Sequence, residues 1–179
     1  MERLRSDVDE RPRSTPDREL GLRIEIRTSG SGTLCRQLLD ELPDWFGIPG
    51  AVGEYVVKAE RAMAVVAIAN SLEVGLLTLV RHTEFAAEID VIAVKPGYHR
   101  RGVGRAMIDR AELLLAPDGV EYLQVKTLAD TVEYEPYART RAFYAACGFR
   151  PLQVFPALWD PENPALQLVK RLQPRPYGG

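Results

Sequence analysis

The stretch from Ala86 to Leu115 reads AAEIDVIAVKPGYHRRGVGRAMIDRAELLL, and its two halves follow different periods. Ile89 to Val94 is apolar except for Asp90, β-branched at four of its six positions, and short enough for a buried strand. Pro96 and Gly97 cannot extend that strand. From Val103 the apolar positions become Val103, Met107, Ile108, Ala111, Leu114 and Leu115, one face of a helix. Strand, loop, helix is the unit, and its joint holds Gly102 and Gly104 with Arg100, Arg101 and Arg105 around them. A helix start leaves backbone N–H groups unpaired at the positive end of the macrodipole, glycines admit a ligand to that backbone, and arginines match phosphate. A plain turn with solvated charges has the same composition, so a lone Gly-x-Gly does not decide the matter.

The flanking sequence extends the pattern. Leu22, Ile24 and Ile26 alternate with charged residues, as in a half-buried strand, and Leu34, Leu38, Leu39 and Leu42 form a helical face that ends before Pro43. Val52 to Arg61 follows as a second helix. Met63–Ala69 and Val74–Val80 are strand-length apolar runs joined through Asn70-Ser71, a hairpin, and Glu88–Val94 continues the meander. After the helix, which the pattern starts at Arg101, Tyr122–Thr127 alternates Tyr, Gln and Lys with Leu, Val and Thr and lies parallel to the preceding strand. Leu128–Pro136 reads as a loop, Tyr137–Cys147 as a helix stopped by Gly148, and Arg150–Phe155 and Pro164–Leu172 as closing strands separated by Trp159–Asn163.

At 179 residues, 46% hydrophobic and 27% charged, the chain has the composition of one soluble globular domain. A net charge of −2 gives no sign of a nucleic-acid or anionic-membrane partner. No apolar run is long enough to span a bilayer and the first residues hold no signal-like segment, so the expected compartment is the cytoplasm. Cys35 and Cys147 fall in helical segments and read as two buried thiols; with His82 and His99 they form no ligand-spaced set, so no metal is expected.

Val94-Lys95-Pro96 followed by His99-Arg100-Arg101-Gly102-Val103-Gly104 resembles the acetyl-CoA pyrophosphate loop of the GCN5-related N-acetyltransferases (GNAT), Gln/Arg-x-x-Gly-x-Gly/Ala, with His99 at the Gln/Arg position. Arg141-Ala142-Phe143-Tyr144-Ala145-Ala146-Cys147-Gly148-Phe149 is similar to that family's second signature, a helix ending Phe-Tyr-x-x-x-Gly-Phe. The resemblance implies an α/β fold of α+β type: a mixed, mostly antiparallel sheet of about seven strands with helices on both faces, over residues 22–172 between a charged tail at 1–21 and a short one at 173–179. It implies acetyl-CoA as cosubstrate, bound by Ile92, Ala93 and Val94 along the strand and by His99, Arg100, Arg101, Gly102, Val103, Gly104 and Arg105 at the loop. Tyr137 stands where many members place an asparagine on the pantetheine arm.

Acetyl transfer to an amine needs a neutral amine and a protonated leaving thiolate. The resemblance assigns Tyr144 as general acid, the other reading being a packing tyrosine, and Glu88 as general base, with an exposed glutamate as the other reading and Asp90 as substitute on the same side of the strand. The segment Pro43 to Gly50, with Trp45 and Phe46, is expected to shape the acceptor pocket, and acidic residues such as Glu135 and Asp160 to line it. The expected partner is a small-molecule amine. A protein lysine or N-terminus, an idle acetyl-CoA sensor, and a homodimeric state all remain open.

Overall fold

A computed structural model describes residues 21–46 and 49–173. The expected tails lie outside the described residues apart from Gly21 and Gln173, as do Gly47 and Ile48 of the Pro43–Gly50 segment. The chain runs β1 (Arg23–Arg27), α1 (Gly32–Asp40), α2 (Pro49–Arg61), β2 (Met63–Ala69), β3 (Leu72–Arg81), β4 (Ala86–Val94), α3 (Val103–Leu115), β5 (Tyr122–Leu128), α4 (Glu135–Ala146), β6 (Arg150–Asp160) and β7 (Asn163–Arg171). The strands form one seven-stranded sheet ordered β1-β2-β3-β4-β5-β7-β6, antiparallel except where β4 meets β5. This is the mixed, mostly antiparallel sheet that the sequence implies.

Helices cover both faces because the apolar residues alternate between two cores. Val65, Ala67, Leu77, Leu79, Ile89, Leu123 and Val125 bury against Val103, Met107, Ile108 and Ala111 of α3 and Tyr144 of α4. Ala64, Val66, Leu76, Val91 and Ala93 bury against Leu34, Cys35, Leu38 and Leu39 of α1 and Ala59 of α2. Both cysteines are free and buried.

Several boundaries differ from expectation, among them that α2 starts at Pro49 rather than Val52 and β3 runs from Leu72 to Arg81. The helix α3 begins at Val103 rather than Arg101, because Gly102 takes a left-handed conformation at φ 85° and breaks the helical run. The helix α4 starts earlier, at Glu135, with Pro136 in the first turn where its missing N–H costs nothing. Two extra strand residues, Ala86 and Ala87, open β4 opposite Tyr122 and Leu123 of β5. The strand β6 runs on past Pro156 to Asp160, which an edge strand paired only with β7 tolerates, and its ladder is interrupted between Phe155 and Asp160. The connection expected at Trp159–Asn163 thus contracts to a tight turn, in which the Asp160 carboxylate accepts from the N–H groups of Glu162 and Asn163 at 2.8 and 2.9 Å.

Candidate active site

The site begins with an irregularity in β4. Along β3, Thr78 pairs with Val91 but Leu79 pairs with Ile89, so Asp90 is an extra residue, a bulge. The bulge resets the alternation. Ile89 faces the α3/α4 core, whereas Val91 and Ala93 face α1/α2, and Ile92 and Val94 return to the α3/α4 side. On the other edge, β4 pairs with β5 only from Ala86–Tyr122 to Ile89–Val125, while β5 continues on β7 to Leu128. The sheet therefore opens beside Asp90 to Val94, leaving one edge of that backbone without a strand partner. Ile92, Ala93 and Val94 border this opening.

The loop between β4 and α3 supplies a second feature. The His99 N–H donates to Pro96 and the Ala106 N–H to Gly102, but the run from Arg100 to Arg105 makes no backbone N–H bond to a described acceptor. Arg100 at φ 59° and Gly102 at φ 85° are both left-handed, which curls these amides into a concavity at the start of a 13-residue helix. Free amides, a helix N-terminus and arginine charge together fit the pyrophosphate of a CoA.

The side chains of the loop make distinct contacts of their own. His99 Nε2 lies 2.6 Å from the Val94 carbonyl, so the ring folds back on the strand. The Arg105 guanidinium donates to the Ala146 carbonyl at 2.7 Å and ties α3 to the end of α4. Arg101 lies over the Tyr98 ring, 5.7 Å from its centroid, and Arg100 is exposed without a described partner. Gly104 serves packing: a Cβ there would meet Cζ of Phe143 at 3.0 Å.

On the α1/α2 face, the sheet beyond the bulge is polar. Glu88 is buried and accepts from Lys126 at 2.6 Å and Gln124 at 3.2 Å, with His82 Nε2 at 2.6 Å. Gln167 of β7 donates to Gln124 and extends the strip. The exposed-glutamate reading of Glu88 is thus replaced by a buried, fully partnered carboxylate. Asp90 accepts from Lys58 at 3.2 Å through Oδ1, while its Oδ2 is buried without a partner.

Three phenols gather at the opening. Burial pushes Tyr55 up to about 12, with Asp90 and Tyr137 adding to the effect. Tyr137 is raised, first by burial and then by Tyr134. Tyr144 is raised furthest, by burial first and then by Cys147, Tyr137 and Tyr55. All three stay protonated at neutral pH and are therefore available as donors. The Tyr144 hydroxyl has no hydrogen-bond partner among the described residues, and the side chain is buried. The Tyr137 hydroxyl is engaged elsewhere, donating to the Trp45 carbonyl at 2.8 Å. Trp45 Nε1 also donates to Thr140 at 3.0 Å, so the segment after α1 is pinned across the opening onto α4.

Of the acidic residues expected from the loops (Glu84, Asp130, Glu133, Glu135 and Asp160), two are engaged locally: Asp160 caps its own turn and Glu135 pairs with Arg139 at 2.5 Å. The sequence reading missed Tyr55, Lys58, His82, Gln124 and Lys126. One signal was present, since Tyr122, Gln124 and Lys126 form a polar face on a central strand, which a merely structural sheet has no need of. Among the described residues no three His, Cys, Asp or Glu side chains gather to hold a metal, and no helix is long and apolar enough to cross a membrane.

A sheet that opens beside a nest of free amides is what the resemblance to the GNAT acetyltransferases implies. Solved structures agree: a GNAT acetyltransferase from Elizabethkingia anophelis with acetyl-CoA bound superposes with a TM-score of 0.64 at 16% identity, covering 84% of this chain and 98% of that one. The aminoglycoside 6'-N-acetyltransferase from Enterococcus faecium gives 0.65 at 19% identity, covering 87% and 99%. The ribosomal-protein-S18-alanine N-acetyltransferase from Escherichia coli gives 0.64 at 19% identity, covering 87% and 100%. At these identities the likeness establishes the fold. A sequence model described as the acetyltransferase (GNAT) domain matches residues 59–151, over half of the 179 residues, and the chain belongs to the GNAT family of N-acetyltransferases. A mycothiol acetyltransferase from Beutenbergia cavernae is 39% identical over 67 residues, 37% of this chain but only 20% of that protein's length.

Proposed function

We propose that this chain transfers an acetyl group from acetyl-CoA to an amine of a small molecule by direct attack. The observation that carries the reading is the coincidence of the opened β4 edge with the unpaired N–H groups of Arg100 to Arg105 at the start of α3. These groups would hold the pantetheine arm and the pyrophosphate, and acetyl-CoA supplies an activated acyl carbon. The Cβ-free Gly102 leaves the amides of the loop accessible; Val103 anchors the helix in the core.

Tyr144 supplies a proton to the departing sulfur as the carbon–sulfur bond breaks, a role suited to a phenol whose burial keeps it protonated. The new carbon–nitrogen bond requires the amine to shed its own protons. One goes to bulk water before attack, and the other to Glu88 through His82 or water, because the Glu88 oxygens are already occupied by Lys126, Gln124 and His82; Tyr144 then recovers its proton from solvent. A small acceptor is favoured by the Trp45 segment, which is pinned over the opening and narrows it.

The test is thiol release from acetyl-CoA across a panel of free amines and lysine- or amine-terminated peptides. Turnover with free amines supports the reading. Turnover confined to peptides substitutes a protein acetyltransferase, and tight acetyl-CoA binding with no turnover on any amine leaves a sensor module.

A further inference from the structure

The side chain at the bulge is in an arrangement that the acetyl-CoA reading does not use. The Asp90 carboxylate is mostly buried and lies on the α1/α2 face beside the opening. One oxygen meets a single donor, Lys58 Nζ at 3.2 Å, and the other is sealed without a partner. Thr78, opposite Val91 on the same face, is fully buried and its Oγ1 is likewise unpartnered. Two unsatisfied oxygens on one patch of sheet call for a donor that is not part of the described chain, since an orphaned buried acceptor is costly.

Lys58 shows what that donor looks like. Its ammonium sits between the Asp90 carboxylate and the Tyr55 ring, 5.8 Å from the ring centroid, which combines an anion with a π face. Yet Lys58 is half exposed at the end of a flexible side chain, makes one long bond, and leaves Oδ2 and the threonine unserved. An ion pair of that kind contributes little and is readily exchanged.

We propose that Asp90, with Tyr55, is the recognition point for a cationic alkylammonium group of the acceptor, and that Lys58 occupies this point in the free protein and is displaced by the acceptor. The inference rests on the reading of the chain as an amine acetyltransferase and narrows its acceptor to alkylamines that are charged in solution. Uncharged aromatic amines gain nothing from the carboxylate. Lys58 then sets the threshold: an acceptor must offer a better donor than a solvated lysine, one able to reach Oδ2 as well as Oδ1. Asp90 and Lys58 thus act on selection of the acceptor, separately from the chemistry at Tyr144.

The experiment is calorimetric titration of the full chain with cadaverine, an alkyl diamine, in excess CoA. Lys58→Met should bind cadaverine about fivefold more tightly than wild type, the competing pair having been removed. Asp90→Asn, which keeps the shape, should weaken binding about tenfold or more. Lys58→Met/Asp90→Asn should lose the gain, placing it on the carboxylate. Aniline, uncharged at neutral pH, should bind all four proteins alike. Equal cadaverine affinity in wild type and Lys58→Met, or a gain that survives Asp90→Asn, overturns the proposal; thermal unfolding of each variant certifies its fold. Thiol release with the same amines reports on the transferase reading separately. Turnover with unchanged variant affinities overturns this proposal and leaves the transferase reading standing, whereas the expected affinity pattern without turnover on any amine leaves a cation site and removes the enzyme.

Discussion

Gly104 faces the Phe143 ring so closely that a Cβ on the glycine would meet Cζ at 3.0 Å. The second glycine of the loop therefore lets α3 approach α4, in addition to whatever it does for a ligand. Gly104→Val should cost about 1–3 kcal/mol through overpacking, and Phe143→Ala in the same chain should restore much of it. Thermal unfolding without ligand measures this directly. A Val variant with the wild-type melting temperature but weakened acetyl-CoA binding would return the glycine to the ligand alone.

Arg100 combines a left-handed backbone, φ 59°, with an exposed guanidinium at the amide nest. Arg100→Gly separates the two. Glycine accepts the conformation without strain but makes the unfolded chain more flexible, so stability should change by less than about 1 kcal/mol. Acetyl-CoA affinity should fall, and its dependence on salt should become shallower, because a charge facing phosphate has gone. Titrations at two ionic strengths distinguish this from a loss of backbone geometry, which would weaken binding equally at both.

Glu88 holds Lys126 at 2.6 Å beneath the opening, and neither side chain is well exposed. Glu88→Gln leaves an ammonium in a poorly hydrated place and should cost about 1–3 kcal/mol, with a smaller total for Glu88→Gln/Lys126→Met than the two single changes add up to. Urea denaturation gives the cycle. If Glu88 also takes the acceptor's proton, Glu88→Gln should lower kcat by about a hundredfold or more; an unchanged kcat would confine Glu88 to holding β4 and β5 together.

Much of this was legible in the chain because it depends on local signals. Alternation placed the sheet strands, the period change at Val103 placed α3, and Asn70-Ser71 marked a hairpin whose two turn residues adopt φ 50° and 64°. The bulge was not legible: Ile89 to Val94 reads as one continuous strand with a single charged residue, and only its pairing against Thr78 and Leu79 shows that Asp90 is the extra residue. The same holds for Tyr55 and Lys58, which look like one exposed stripe of a helix until α2 is laid over β4. Loop side chains deceived for a related reason. The motif at His99 to Arg105 locates the amides, whose roles follow from backbone shape, but whether His99 or Arg105 faces a ligand depends on the Val94 and Ala146 carbonyls, which are distant in sequence or hidden by the turn.

Alkaline pH should destabilise the fold. Burial raises the Cys35 thiol from 9.0 to about 11 and the Tyr55 phenol from 10.0 to about 12. Because the folded values are raised, the unfolded chain loses these protons first. Their contribution is complete below pH 9.0 and is lost as pH rises through about 11 to 12. Denaturation midpoints should fall over that window, and Cys35→Ala should blunt the early part of the fall. A midpoint that is flat up to the upper limit would mean that both groups are hydrated in the folded state.

Tyr144 offers the sharpest test of the chemistry. Its ring lies in the α3/α4 core, T-shaped against Phe149 with centroids 5.6 Å apart, so Tyr144→Phe preserves the packing and removes one oxygen. Acetyl-CoA affinity and melting temperature should hardly change. If the phenol protonates the leaving sulfur, kcat should fall by about a hundredfold, the low end for a general acid because a CoA thiolate is a tolerable leaving group. KM for the acceptor should stay put, since the proton is needed only as the carbon–sulfur bond breaks. The pH profile discriminates further: burial holds the phenol protonated well above its ordinary range, so the wild type should show no alkaline loss from this group at ordinary assay pH. A Phe variant with wild-type kcat would leave Tyr144 as a core residue whose hydroxyl merely borders the opening, and would assign the proton to water.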